Sequence, residues 1–272
     1  MGSTTKVAAI QMCSTGDLQH NLQRAEVLLS EAADCGAQLV VLPENFAYYG
    51  CKQLLAAAAE EASAGGPVRS FLKQQAKRHN LWIVAGTLPV ADEDDQRGYA
   101  ACLVYDNHGA EHGQYNKIHL FDVDVGDAHK HYRESDDYRP GNEPLVIDTP
   151  FGKLGVSICY DLRFAELHRQ LADRGAEIVV VPSAFTAVTG EAHWQLLLRA
   201  RAVENQCFVI GANMGDRDHR KRPTWGGSAI VHPWGNVLAE LDGGEGVICA
   251  ELDLGEIQRL KQNMPIAQHR RL

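Results

Sequence analysis

The sequence predicts an α/β fold, a four-layer α-β-β-α sandwich built from two pseudo-symmetric halves in one domain over residues 1–272. Three observations carry this. The chain repeats itself over a long period, helix-like and strand-like segments alternate, and polar residues close its apolar runs.

The repeat pairs residues 33–46 with 172–185 at a constant offset of 139, so Gln38-Leu39-Val40-Val41-Leu42-Pro43 faces Glu177-Ile178-Val179-Val180-Val181-Pro182. Residues 71–86 then match 196–211 at an offset of 125, with Asn80 opposite Asn205. The change in offset reads as a difference in loop length. A unit of about 130 residues is too long for a solenoid repeat of ~20–50, so it marks two similar halves.

Within each half the order is strand, helix, strand, helix, strand. Apolar residues recur at three- and four-residue steps over 19–35, 66–79, 164–174 and 191–204, which predicts helices there. Asp161 and Gly175 bracket the third as cap and stop. Helices alternating with strands imply parallel pairing, and two like halves pack most simply sheet on sheet. The acidic stretch 91–98 reads as an exposed loop. The stretch 126–142 is polar, without helical period, and long enough to suggest a functional loop.

Composition narrows the function. Hydrophobic residues at 45% and charged residues at 22% are ordinary for a soluble protein. Apolar runs of roughly 6–8 residues fall well short of the ~18 that span a bilayer, which argues against a membrane partner. Residues 1–6 show no apolar signal region, which points to a cytoplasmic location. A net charge of −9 argues against a nucleic-acid partner, and the basic runs at 219–222 and 269–271 read as solvated surface. The seven cysteines are odd in number and contain no Cys-x-x-Cys pair, so they read as free thiols in a reducing compartment rather than a disulfide framework or a zinc ribbon.

Three residues stand out at the ends of apolar or strand-like runs: Glu44 after 38–43, Cys159 after Leu154-Gly155-Val156-Ser157-Ile158, and Lys117 in Tyr115-Asn116-Lys117-Ile118-His119-Leu120-Phe121-Asp122. Ligands bind at the carboxyl ends of strands in open α/β sheets. A carboxylate, an amine and a thiol there would supply a base, a charge stabiliser and a nucleophile, with no cofactor and no metal. Glu44 faces Ser183 in the repeat, so the carboxylate belongs to one half alone. A helix beginning near Tyr160 would lower the pKa of the Cys159 thiol and offer the Tyr160 N–H to an oxyanion.

The blocks Leu42-Pro43-Glu44-Asn45-Phe46, residues 115–122, and Gly155-Val156-Ser157-Ile158-Cys159-Tyr160-Asp161-Leu162-Arg163-Phe164 resemble the three signature blocks of the nitrilase superfamily of carbon–nitrogen hydrolases. The resemblance covers essentially the whole chain. It implies Glu44 as general base, Lys117 as stabiliser of the tetrahedral intermediate and Cys159 as the residue that forms a thioester. Glu134, ahead of Pro140-Gly141, matches the further glutamate that orients the lysine. The segments 119–124, 133–136, 182–186 with 189–190, 192–194, 198–207 and 232–235 are similar to the Nit branch, which holds deaminated-glutathione amidase and ω-amidase. That resemblance implies a small-molecule 2-oxo acid amide as substrate, and a homodimer through the helices near Cys159. Tyr160, Arg163 and Phe185 are the candidate substrate-binding residues. Arg163 is the candidate for the substrate carboxylate, with an ion pair to Asp161 or Glu166 as the competing reading. Gly227 stands where relatives usually carry histidine. Other readings are an ω-amidase acting on 2-oxoglutaramate, a metal-dependent phosphoesterase suggested by Gly215-Asp216-Arg217-Asp218-His219, and a non-catalytic binding protein. Asp122, Asp124 and Asp127 hint at a calcium loop but lack the EF-hand spacing.

Overall fold

The apolar run after Gln38 becomes the central strand of a sheet buried on both faces, which is why it carries no polar alternation. The computed structural model describes residues 4–50, 65–91, 97–127, 129–219 and 222–271. The first half comprises β1 (Thr4–Gln11), α1 (Leu18–Asp34), β2 (Leu39–Val41), α2 (Pro67–His79), β3 (Trp82–Val84), β4 (Leu88–Val90), β5 (Tyr99–Tyr105) and β6 (Glu111–Asn116). A hairpin of β7 (Asp122–Asp124) and β8 (His131–Arg133) follows. The second half holds β9 (Leu145–Thr149), β10 (Gly152–Val156), α3 (Ala165–Asp173), β11 (Ile178–Ser183), α4 (Ala187–Asn205), β12 (Phe208–Asn213), β13 (Ser228–Val231) and β14 (Val237–Leu241). β15 (Gly246–Asp253) and α5 (Gly255–Asn263) close the fold, with β15 returning beside β1.

One sheet runs β15-β1-β2-β3-β5-β4, with β6 paired to β5, and the other runs β14-β13-β12-β11-β10-β9. In both, three consecutive parallel strands form the centre: β1-β2-β3 and β10-β11-β12. Leu39, Val41, Trp82 and Val84 from the first sheet share a core with Leu154, Val156, Ile178 and Val180 from the second. The opposite face of the first sheet, with Val40 and Ile83, is covered by Leu28 and Leu29 of α1 and Leu72 of α2. α3 and α4 cover the second sheet through Leu167, Leu171, Trp194 and Leu198. The four layers are those the repeat predicts.

The repeat is slipped by one residue in its second block. Trp82 N–H bonds to Gln38 O at 2.9 Å and Phe208 N–H bonds to Glu177 O at 2.9 Å. Gln38 and Glu177 are equivalent, so Trp82 corresponds to Phe208. The helix caps agree: Asn80 and Gln206 both take left-handed backbone, at φ 54° and 51°. Matching Asn80 to Asn205 followed residue identity, whereas the left-handed cap sets the phase.

Two further expectations need correction. α4 starts at Ala187, earlier than 191, because the Thr186 side chain caps it by accepting from Thr189 N–H at 3.3 Å. Cys35 and Cys249 form a disulfide, with Cα atoms 7.0 Å apart and 214 residues between them in sequence. α1 ends over the first sheet, and the pairing of β15 with β1 brings Cys249 opposite Ala8. Only that tertiary return makes the two thiols neighbours. Cys102, Cys159 and Cys207 are buried free thiols and Cys13 is half-buried. Most of the acidic stretch 91–98 lies outside the described residues. Among the described residues no helix is long and apolar enough to cross a membrane.

Candidate active site

Cys159 sits where β10 ends. Its backbone takes φ 47°, uncommon for a residue with a Cβ, and the chain then makes a 3-10 turn over Cys159–Arg163 before α3. Asp161 fixes that elbow. Its fully buried carboxylate accepts from Ile158 N–H at 2.9 Å, Tyr115 OH at 2.8 Å and His119 N–H at 3.0 Å, and His119 Nδ1 lies 2.7 Å away. The side chain therefore ties the cysteine turn to the segment that carries Lys117. Asp161 does not cap α3, whose N-cap is Phe164.

Lys117 directly follows β6 and is 1% exposed. Its backbone is clamped on both sides: its N–H bonds to Ala100 O at 3.0 Å, and its carbonyl accepts from Gly141 N–H at 2.8 Å. A Cβ at Gly141 would come 2.2 Å from Asn116 O, so the Pro140-Gly141 turn needs glycine to approach this strand. The Lys117 Nζ donates to Glu44 Oε1 at 2.8 Å and to both Glu134 oxygens at 2.9 and 2.8 Å. Glu134 also accepts from Phe121 N–H at 2.7 Å.

Glu44 is 3% exposed at the end of the β2 run. Its second oxygen accepts from Ala184 N–H at 2.9 Å, and Glu44 and Cys159 line the same cavity. Ala184 follows Ser183, the position equivalent to Glu44 in the other half. The two pseudo-equivalent loops thus meet face to face at the site.

The electrostatics reverse one expectation. Burial and the adjoining Glu44 carboxylate push the Cys159 thiol well above its ordinary value, outweighing Lys117 and the Ala184 N–H, which lower it. Cys159 therefore rests as a thiol. Burial pushes Lys117 down, but Glu134 and Glu44 together hold it well above the normal lysine range, so it stays an ammonium. Burial raises Glu134 against the pull of Lys117. Two carboxylates around one ammonium leave no charge to spare for a free thiolate.

These side chains open on a cavity of about 150 Å³. Glu44, Lys117, Glu134, Cys159, Tyr160 and Phe185 all line it. Arg163 does not; its guanidinium lies 5.7 Å from the Tyr160 ring and 5.3 Å from the Phe185 ring, with Nη1 3.2 Å from His193 Nδ1. Among the described residues it pairs with neither Asp161 nor Glu166. Phe121 packs against Tyr160 and Tyr132, each with ring centroids 5.0 Å apart, and forms an aromatic wall.

The carbon-nitrogen hydrolase family model matches residues 6–262. The chain belongs to the carbon–nitrogen hydrolase family. It is 42% identical over 268 residues to a deaminated glutathione amidase of Synechocystis, covering 97% of each chain. It is 39% identical to omega-amidase NIT2-A of Xenopus laevis, over 98% of this chain and 95% of that one. The crystal structure of Saccharomyces cerevisiae Nit3, a member of branch 10 of the nitrilase superfamily, superposes with a TM-score of 0.89 at 34% identity, over 99% of this chain and 97% of that one.

Other positions in this carbon–nitrogen hydrolase serve different ends. Gly227 does not line the cavity. It sits at φ 68°, and a Cβ there would meet Trp225 Nε1 at 2.9 Å, while its carbonyl accepts from Trp194 Nε1 at 2.6 Å. The acids of the suspected calcium loop are taken by the hairpin: Asp122 accepts from Ser135 N–H, Asp124 pairs with Arg133 and His131, and Asp127 accepts from Tyr132 OH. In the segment read as phosphoesterase-like, Arg217 pairs with Asp242 at 2.5 Å. Sequence reasoning missed the Ala184 and Phe121 N–H donors, because a backbone donor leaves no residue signature. It named Asp161 as a helix cap and as a competing ion-pair partner of Arg163, not as the tie between the two loops.

Proposed function

We propose that this carbon–nitrogen hydrolase cleaves the side-chain amide of a 2-oxo acid amide through a Cys159 thioester, with deaminated glutathione as substrate. One observation carries the chemistry: Glu44 accepts from Lys117 at 2.8 Å, and both line the same cavity as Cys159. Glu44 takes the thiol proton as sulfur attacks the amide carbon, so a free thiolate never has to exist in the buried site. Lys117 and the Tyr160 N–H hold the oxyanion. Collapse expels the amine, which takes the proton from Glu44; ammonia leaves from a primary amide, and a peptide amine from deaminated glutathione. Glu44 then removes a proton from water, which attacks the thioester and releases the acid. Glu134 keeps Lys117 charged and aimed while Glu44 is protonated.

The names of the relatives support the substrate class. Phe185 and Tyr160 wall the acyl site, and Arg163 on their rings is the cation for the 2-oxo acid carboxylate, which side-chain rearrangement would bring to the cavity. The protein works as a homodimer through the α3–α4 side, where Leu196 is 67% exposed and Trp234 60% exposed; light scattering checks this. The decisive assay follows release of the 2-oxo diacid, the product common to deaminated glutathione and 2-oxoglutaramate. A higher kcat/KM for deaminated glutathione supports the reading. The reverse order moves the enzyme to ω-amidase, and no turnover of either sinks it.

A further inference from the structure

We propose that Arg222 forms a second anion subsite, at the mouth of the cavity, for the terminal carboxylate of a peptide leaving group. This rests on the amidase reading above and extends it to the other side of the scissile bond. Three cations line the cavity: Lys117, Arg133 and Arg222. Lys117 is taken up by Glu44 and Glu134. Arg133 is engaged in the β7–β8 hairpin, donating to Tyr132 O at 2.7 Å and to Asp124 at 3.0 Å. Arg222 has no carboxylate partner among the described residues. Its backbone is held in place: its carbonyl accepts from Tyr49 OH at 2.7 Å, and its N–H donates to His219 Nδ1 at 2.9 Å. Its guanidinium lies 6.0 Å from the centre of the Tyr132 ring.

Tyr132 is one end of the aromatic wall and Tyr160, next to Cys159, is the other. A guanidinium therefore sits on each end ring, Arg163 on Tyr160 and Arg222 on Tyr132. A cavity of about 150 Å³ holds a small acyl group, so a peptide on the leaving side must reach along the wall to the mouth. A substrate with a carboxylate at each end offers one anion to each of these two cations. In a chain of net charge −9, the Arg222 cation at the entrance also offsets long-range repulsion of such an anion.

The test compares deaminated glutathione with its C-terminal carboxamide, which differ only in the distal charge, on wild type, Arg222→Ala and Arg222→Lys. Because Arg222 is exposed, the contact belongs at the weak end of charge-assisted bonds, so wild type should favour the free acid by roughly tenfold in kcat/KM. Arg222→Ala should bring that ratio close to one, Arg222→Lys should keep part of it, and added salt should shrink it in wild type. Because the ratio is internal to each variant, a general loss of activity does not mimic the effect. A ratio that survives Arg222→Ala, or a wild type that treats both compounds alike, overturns the subsite and leaves the amidase reading standing. Failure of wild type to hydrolyse either compound overturns both.

Discussion

Replacing Glu44 with glutamine removes the proton acceptor at almost constant volume, and two properties of the site should then move apart. The native carboxylate accepts from Lys117 at one oxygen and from Ala184 N–H at the other. Glutamine has one carbonyl oxygen, so its NH2 group must face one of those donors. An opposed buried donor costs ~1–3 kcal/mol, a fall in Tm of about 2–12 °C for a chain of this size. Loss of a general base costs ~10²–10⁴ in rate, or about 2.7–5.4 kcal/mol of barrier. The thiol moves the other way. Glu44 pushes the Cys159 pKa up, so its removal must lower it, and thiolate becomes more abundant at a given pH. Lys117→Ala should raise it further, since the ammonium draws it down. The assay pairs steady-state release of the 2-oxo acid with the pH dependence of Cys159 alkylation by iodoacetamide. Glu44→Gln should alkylate at lower pH than wild type and turn over far more slowly. Wild-type kcat/KM in the variant, or a thiol that ionises at higher pH, would refute the reasoning.

Asp161→Asn sets an NH2 group against donors from the cysteine turn or the lysine segment. It should cost ~1–3 kcal/mol of stability and, by displacing Cys159 from Lys117, as much as ~10²-fold in kcat with less effect on KM; unchanged kinetics would show that the tie is dispensable. His168 is 1% exposed, and burial with Arg201 nearby pushes it down to about 3 from 6.5. The unfolded chain therefore binds this proton first, and stability falls as pH drops from about 6.5 toward about 3. His168→Leu should lessen the stability lost between pH 7 and 4.5 by ~2–3 kcal/mol in urea titrations, and an unaltered acid limb would contradict this. Non-reducing digestion should yield a peptide linked through Cys35 and Cys249. Reduction should lower Tm, since on the chain-entropy view a cross-link across so long a loop is worth up to about 5 kcal/mol.

How much of this was legible depended on the kind of signal. Glu44 and Cys159 could be found because a polar residue ending a run apolar on both faces marks a strand mouth. The layers were legible because Gln38–Leu42 and Glu177–Val181 repeat a buried strand in sequence. Lys117 carries a weaker mark, a place in a strand-like run between the other two, and Glu134 carries only the turn that follows it; the resemblance supplied the roles of both. What escaped was tertiary or electrostatic. The disulfide depends on β15 returning beside β1. The phase of the repeat depends on left-handed caps at Asn80 and Gln206, and Asp161 works across the gap between two loops. The thiol shift has the sign opposite to a helix-terminus argument. Full burial and the Glu44 carboxylate outweigh a short 3-10 turn and an ammonium already shared by two glutamates.

The central claim is a covalent acyl intermediate on Cys159, and trapping it tests that most directly. Enzyme mixed with deaminated glutathione, quenched in acid within the first turnovers and digested for mass spectrometry, should carry the 2-oxo acyl group on the Cys159 peptide and on no other cysteine. Cys159→Ala should fold, show no adduct and release no product. Steady turnover by Cys159→Ala, or an acyl group on a different residue, would contradict the account.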